Sequence, residues 1–148
     1  MSLKELRTGT GSNAPFNHII YTGLFPAIFD RNIPAENYYP SYLQTYIERD
    51  VRLLKNIGNL NQFRIFLQLC AGRIGQMVNL SSIGTEAGID AKTVRSWLSV
   101  LEASFIIFLL PPYFKNFNKR IVKQQKLYFC DTGLVCSLLG LNSAGQIQ

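Results

Sequence analysis

A chain of 148 residues with 47% hydrophobic content can bury a core, so its composition excludes a disordered segment. The longest apolar run, Phe105 to Leu110, is far shorter than the roughly 20 residues needed to cross a bilayer. The N-terminus lacks the apolar core of a signal peptide, and a cytoplasmic, membrane-free protein is expected.

The formal net charge of +6 invites a polyanionic partner, and its distribution qualifies that. Residues 1–78 hold eight Lys or Arg and five Asp or Glu. Residues 79–103 hold two and three, and residues 104–148 hold five and one. The positive charge therefore follows the middle of the chain rather than residing in it.

Residues 1–15 read as a flexible lead, small, polar and glycine-rich from Thr8 to Ser12. Order begins near Phe16. Phe16, Ile19, Ile20, Leu24 and Ile28 fit a short helical or mixed apolar segment interrupted by Gly23 and Pro26, followed by a polar link from Asp30 to Asn37. Ser41 is placed to cap a long helix reaching Ile57, with Gly58 ending it. A second helix fits Asn61 to Ala71, where Phe63, Phe66, Leu67 and Cys70 recur at spacings of three and four. These elements make a helical linker region over 16–78.

From Leu80 to Leu101 the small and apolar residues fall at the spacing of a helix-turn-helix. Gly84 provides the small residue where the second helix crosses the first. Gly88 suits a left-handed turn, and Ile89 plugs the corner. Asp90 caps a second helix whose buried face is Val94, Trp97, Leu98 and Leu101. Phe105 to Leu110 and Lys126 to Cys130 then read as strands, separated by residues 111–125. A helix-turn-helix followed by two strands and a basic connection describes a winged helix, here spanning 79–131. The predicted fold is mainly α, a helical region followed by a winged helix-turn-helix with a short β-wing. Gly133 to Leu141 reads as a further short helix in a tail, 132–148, leading to a missing downstream domain.

On a winged helix that meets DNA, the second helix turns Lys92, Thr93, Arg95, Ser96 and Ser99 outward to the major groove. Glu86, Asp90 and Glu102 oppose the electrostatic attraction to phosphate. The wing is better supplied, with Lys115, Lys119, Arg120, Lys123 and Lys126 around Tyr113, Phe114 and Phe117, a mixture suited to straddling a backbone and entering a minor groove. Alternatively, the aromatics pack under the wing and its lysines stay solvated. A second charged stretch places Glu48, Arg49 and Arg52 on one helix. These form either a solvated face or a contact with a phosphate or carboxylate on an adjoining module.

No catalytic constellation is present. A P-loop is missing, so nothing here cradles nucleotide phosphates as a P-loop does. His18 has no ligand partner at metal-binding spacing. Asp131, before Thr132-Gly133, reads as a turn or a helix cap rather than an acid catalyst. Cys70, Cys130 and Cys136 read as reduced structural thiols. The chain is expected to be no enzyme and to need neither cofactor nor metal.

Several motifs in order resemble one family. They are Gly23-Leu24-Phe25-Pro26, Tyr46-Ile47-Glu48-Arg49-Asp50-Val51-Arg52, the helix-turn-helix ending in Leu101-Glu102, Lys119-Arg120, Lys126-Leu127-Tyr128-Phe129 and Asp131-Thr132-Gly133-Leu134. Together they resemble a prokaryotic domain of unknown function that lies C-terminal to the ATPase core of AAA-type ATP-binding proteins, and the similarity covers Tyr21 to Leu141. The Walker motifs that precede this region in the family, and the nuclease-like fold that often follows it, have no counterpart here. The resemblance implies an ATPase module in cis, with ATP and magnesium belonging to the parent protein alone, and carries no catalytic residue onto this chain. Two roles follow: an accessory fragment that contacts DNA, or an adaptor that binds a protein partner.

Overall fold

The computed structural model describes residues 4–5, 14–47, 49, 59–113 and 124–147. Among these, seven α-helices and one antiparallel strand pair form a mainly helical fold, as the sequence predicts. In chain order they are α1 (Phe16–Thr22), α2 (Pro26–Asp30), α3 (Ala35–Tyr42), α4 (Leu60–Ala71), α5 (Leu80–Ala87), α6 (Ala91–Ala103), β1 (Ile107–Leu110), β2 (Lys126–Phe129) and α7 (Thr132–Leu138). Contacts divide the chain into one unit of residues 1–49 with 131–148 and a second of residues 50–130. Packing therefore groups α4 with the helix-turn-helix, and the residues after 131 with the N-terminal helices. The boundaries read along the sequence at 78 and 131 follow chain order instead.

The first unit is tied together by one carboxylate. Asp131 is only 8% exposed and caps α7, its Oδ1 accepting the Leu134 amide at 3.0 Å. The same oxygen accepts the Tyr39 hydroxyl at 2.7 Å, while Oδ2 accepts the Leu24 amide at 2.8 Å. The cap expected of Asp131 is thus also a long-range bond between α7, α3 and the turn before α2. The Tyr39 hydroxyl lies 2.9 Å from the Thr22 carbonyl as well, but its single proton serves one acceptor at a time, and the carboxylate is the stronger. Two glycines make the approach possible. A Cβ on Gly23 or on Gly133 would fall within 2.5 Å of the Tyr39 hydroxyl oxygen, and Gly23 has φ +67°.

Two local expectations in this unit are corrected. The stretch from Asp30 to Asn37 is not wholly a polar link, because Pro34 takes the N-cap position and α3 begins at Ala35. Pro34 has the extended ψ that precedes a helix, and Ala35 and Tyr39 give α3 its buried side. Ser41 accordingly lies inside α3 rather than capping a new helix. A π-helical turn, Leu43–Ile47, follows it, and the rest of the predicted helix to Ile57 lies, apart from Arg49, outside the described residues. The short helix expected from Gly133 to Leu141 is α7, which packs on α1 and α3, and further along Asn17 Nδ2 donates to the Ile147 carbonyl at 2.8 Å.

In the second unit Asn59 caps α4, its side-chain oxygen accepting the Asn61 and Gln62 amides. The predicted face of α4, Phe63, Phe66, Leu67 and Cys70, is fully buried. Trp97 of α6 meets Phe63 and Phe66 edge-on at 5.2 and 5.3 Å between ring centroids, the geometry favoured by the ring quadrupole. Gly84 lets α5 approach the following turn: the Ile89 amide donates to its carbonyl at 2.9 Å, and a Cβ there would stand 2.6 Å from the Ile89 oxygen. Gly88 ends α5 in the left-handed region at φ 69°, and Gln62 Nε2 secures the turn by donating to its carbonyl at 2.8 Å.

The strand expected from Phe105 begins two residues later. Ile106 donates to the Leu101 carbonyl at 2.9 Å to close α6, which forces Phe105 to φ +55° with its ring 83% exposed. A bulky side chain in that region is strained, since glycine normally occupies it. β1 and β2 pair antiparallel from Ile107 opposite Phe129 to Leu110 opposite Lys126. A third segment, unforeseen in the sequence, leaves a turn at Gly75 and flanks β2 through a bridge between Met77 and Lys126. Gly75 donates to the Leu127 carbonyl at 2.8 Å, Leu127 to Gln76 at 3.1 Å and Val78 to Gln125 at 2.9 Å.

Gly84→Ala is expected to destabilise the protein by about 1–3 kcal/mol through overpacking against backbone. Phe105→Gly, in contrast, is expected to add about 0.5–1 kcal/mol by relieving the positive φ. Urea unfolding of each variant against the parent measures both. Burial, and then the neighbouring Asp131 carboxylate, raise the Tyr39 phenol above its ordinary 10.0, and burial pushes the Cys70 thiol up to about 12 from 9.0. Both groups keep their protons in the folded state after the unfolded chain loses them. Their contribution is complete below the unfolded pKa and declines as pH rises, so stability should fall above roughly pH 9. Tyr39→Phe should cost about 1.5–3 kcal/mol at neutral pH and flatten the decline above roughly pH 10 in a pH series of thermal melts.

Candidate nucleic-acid interface

Burial of Val94, Trp97, Leu98 and Leu101 fixes the rotation of α6 about its axis and turns the opposite side to solvent. Lys92, Arg95 and Ser99 are exposed there, with Thr93 and Ser96 half-exposed. Of the five residues expected to face outward, three are thus exposed and two partly covered. Lys92, Arg95, Ser96 and Ser99 follow the spacing of three and four that aligns side chains along one helical stripe.

Hydrogen bonds engage part of this stripe. The Thr93 hydroxyl donates to Asp90 Oδ2 at 2.8 Å, and its amide donates to Asp90 Oδ1 at 2.9 Å. These bonds hold the Asp90 carboxyl below its ordinary range, so the cap stays ionised at neutral pH. Ser99 donates its hydroxyl proton to the Arg95 carbonyl at 3.0 Å. Glu102, at the far end of α6, accepts the Leu109 amide at 3.3 Å, satisfying a donor of β1.

Glu86 on α5 is paired with Arg73, 2.6 Å away, and accepts the Ser82 hydroxyl at 2.9 Å. The hydrogen bond from Arg73, followed by that from Ser82, lowers the Glu86 carboxyl. The three acids expected to oppose DNA are thus committed to intramolecular partners. Asp90 and Glu102 keep formal charge near the two ends of α6, and Arg73 offsets that of Glu86.

In the hairpin, pairing sets one face. Phe108 lies opposite Tyr128 and Leu110 opposite Lys126, while Met77 forms a bridge to Lys126. Partners in register share a side of the sheet, so these five side chains form one surface. Phe108 and Tyr128 stack with 5.3 Å between centroids and 13° between planes. Lys126 is exposed on this surface, as are Phe108, Leu110 and Met77. Of the three wing aromatics that the alternative reading packs beneath the wing, Tyr113 is exposed, and Phe114 and Phe117 lie outside the described residues.

Lys115, Lys119, Arg120 and Lys123, with Phe114 and Phe117, lie outside the described residues. So do Glu48 and Arg52 of the proposed inter-module contact, leaving Arg49, which is exposed. His18 is exposed on α1, and among the described residues no group of three His, Cys, Asp or Glu side chains is placed to hold a metal. Cys70 and Cys136 are buried as expected of structural thiols, whereas Cys130 is exposed just after β2. Among the described residues no helix is long and apolar enough to cross a membrane.

Sequence reasoning missed the segment from Gly75 to Val78 that flanks β2 and the long-range bonds of Asp131. The first is too short for a period to register, and its partner lies about 50 residues further on. The second joins two motifs already visible, Gly23-Leu24-Phe25-Pro26 and Asp131-Thr132-Gly133-Leu134, through the Leu24 amide and the Asp131 carboxylate.

Residues 13–145 match the family described as a domain of unknown function, DUF8612. Two curated proteins are similar to the same region, each 28% identical over 133 residues: the uncharacterized protein Rv2008c of Mycobacterium tuberculosis and the uncharacterized protein Mb2031c of Mycobacterium bovis. The match takes in 89% of this chain and 30% of each relative, so the chain spans less than a third of their length. No solved structure matches the chain. With nearly its whole length inside the family's bounds, the chain belongs to the DUF8612 family of domains of unknown function.

Proposed function

We propose that this chain is a non-catalytic accessory region whose second unit is a winged helix that contacts duplex DNA. The observation that carries the reading is the stripe of Lys92, Arg95, Ser96 and Ser99 on the solvent side of α6, which is the second helix of a tightly packed helix-turn-helix. The order of α4, a segment flanking β2, α5, α6 and a β-hairpin, with exposed Lys126 on the hairpin, supports it. The connection between the strands adds Lys115, Lys119, Arg120 and Lys123 to the same unit. In this reading the basic side chains meet phosphates, and the region couples DNA to an ATP-hydrolysing module elsewhere in a longer protein. The resemblance to regions that follow AAA-type ATPase cores supports that context, and ATP and magnesium belong to the module alone.

A second reading rests on the hairpin. Phe108, Leu110 and Met77 form an exposed apolar surface, which suits a protein partner better than a phosphate backbone. In that case the unit is an adaptor.

Fluorescence anisotropy with a labelled 20-bp duplex separates the two. The DNA reading expects affinity to fall roughly 10²–10³-fold between 50 and 200 mM salt, as for about five phosphate contacts. It further expects Lys92→Ala with Arg95→Ala, or Lys119→Ala with Arg120→Ala and Lys123→Ala, to weaken binding about tenfold or more. No binding at 50 mM salt, with the fold intact by circular dichroism, would sink it in favour of the adaptor.

A further inference from the structure

The exposed face of the strand pair carries a groove to which phosphate contact by α6 gives no role. Met77, Leu110 and Tyr128 form its apolar part, Tyr113 stands beside them, and Gln124 and Lys126 supply polar groups. The groove holds about 540 Å³, inside the roughly 300–1,000 Å³ of pockets that bury small ligands. Among the described residues that line it, none is Asp or Glu. Its apolar groups lie open to solvent, Tyr113 at 82%, Met77 at 61% and Leu110 at 47%. Next to the groove Phe108 stacks on Tyr128 with 13° between the ring planes, and the pair makes a flat aromatic surface.

The chemistry of these groups selects among occupants. Flat rings accept another flat ring, and every nucleobase has a π-face to offer an aromatic side chain. Lys126 is exposed at the groove and suits the phosphate next to a stacked base. The Gln124 amide brings donors and an acceptor to a base edge. With no acid in the lining, an anionic strand meets no local repulsion there. Inside a duplex, neighbouring bases cover each base face and the pairing edges are in use, so an unpaired base is the occupant that uses rings, amide and cation together. A docked apolar peptide would use the rings and leave Lys126 idle.

We propose that the hairpin groove of the second unit holds an unpaired base of single-stranded DNA, stacked on Tyr113 and Tyr128 with Lys126 at the adjoining phosphate. The site is separate from the α6 stripe and shares with the duplex reading only the choice of polymer. The test is anisotropy of the full chain at 50 mM salt with a labelled oligothymidine of about ten nucleotides, beside an abasic strand of the same length and the blunt duplex. The oligothymidine is expected to bind, and the abasic strand about tenfold or more weakly. Tyr113→Ala should weaken the oligothymidine about 5- to 150-fold, the loss of one stacked base, and Tyr113→Phe should keep its affinity within about twofold. Lys126→Ala should lower the slope of log affinity against log salt by about 0.7. Lys92→Ala with Arg95→Ala should leave the preference for thymidines over the abasic strand unchanged. Equal binding of the two strands, or an unaltered affinity in Tyr113→Ala, would overturn the proposal. So would no binding of oligothymidine with the fold intact by circular dichroism, which returns this surface to a protein partner and leaves blunt-duplex binding standing. Oligothymidine bound without any blunt duplex sinks the duplex reading alone.

Discussion

The close approach of α5 to the turn after it, at Gly84, is the constraint on which the rest of the second unit depends. With no side chain at that position, the Ile89 oxygen comes within 2.6 Å of where a Cβ would be, and the two helices of the motif pack closely. That contact sets where α6 begins, and so which of its residues meet Phe63 and Phe66 of α4. Trp97 fills the space between them edge-on to both rings. Once Trp97 and its neighbours face inward, Lys92, Arg95 and Ser99 have only solvent to face. The disposition of the cationic stripe is therefore a consequence of core packing, not of attraction among the exposed groups.

A division of labour between acids and bases runs through the molecule. Asp131 organises the first unit by accepting from Tyr39, Leu24 and Leu134, and Asp90 caps α6. Glu86 pairs with Arg73, and Glu102 satisfies a strand amide. Asp90, Glu86 and Glu102 serve their own element or a neighbour in the chain, whereas Asp131 joins elements about 100 residues apart. Lys92, Arg95 and Lys126 instead point outward. The positive charge belongs to the second unit, where residues 50–130 hold eleven Lys or Arg and four Asp or Glu.

The helix-turn-helix was largely legible in the sequence, since its glycines, its Asp90 cap and its apolar spacing are short-range signals that agree with one another. The face of α4 was legible for the same reason. What escaped depends on contacts between distant residues. The start of α3 at Ala35 is set by Pro34 and by the burial of Tyr39 beside Asp131, which is 92 residues away. The segment after Gly75 takes its shape from β2. The strand start was misplaced because Phe105 has strong strand propensity yet occupies the left-handed position that closes α6. Of the candidate interface, the outward residues of α6 were readable from periodicity. Which hydroxyls are already engaged, and which hairpin aromatics face solvent, depend on side-chain geometry that spacing does not encode.

The most direct test of the account is residue-resolved: amide chemical shifts of the isotope-labelled chain, followed as a 20-bp duplex is added at low salt. The account predicts that shift changes concentrate on residues 91–99 and around Lys126, with the amides of α1, α3 and α7 unmoved. Changes confined to the hairpin with residues 91–99 unmoved, or no changes at saturating duplex, would contradict it.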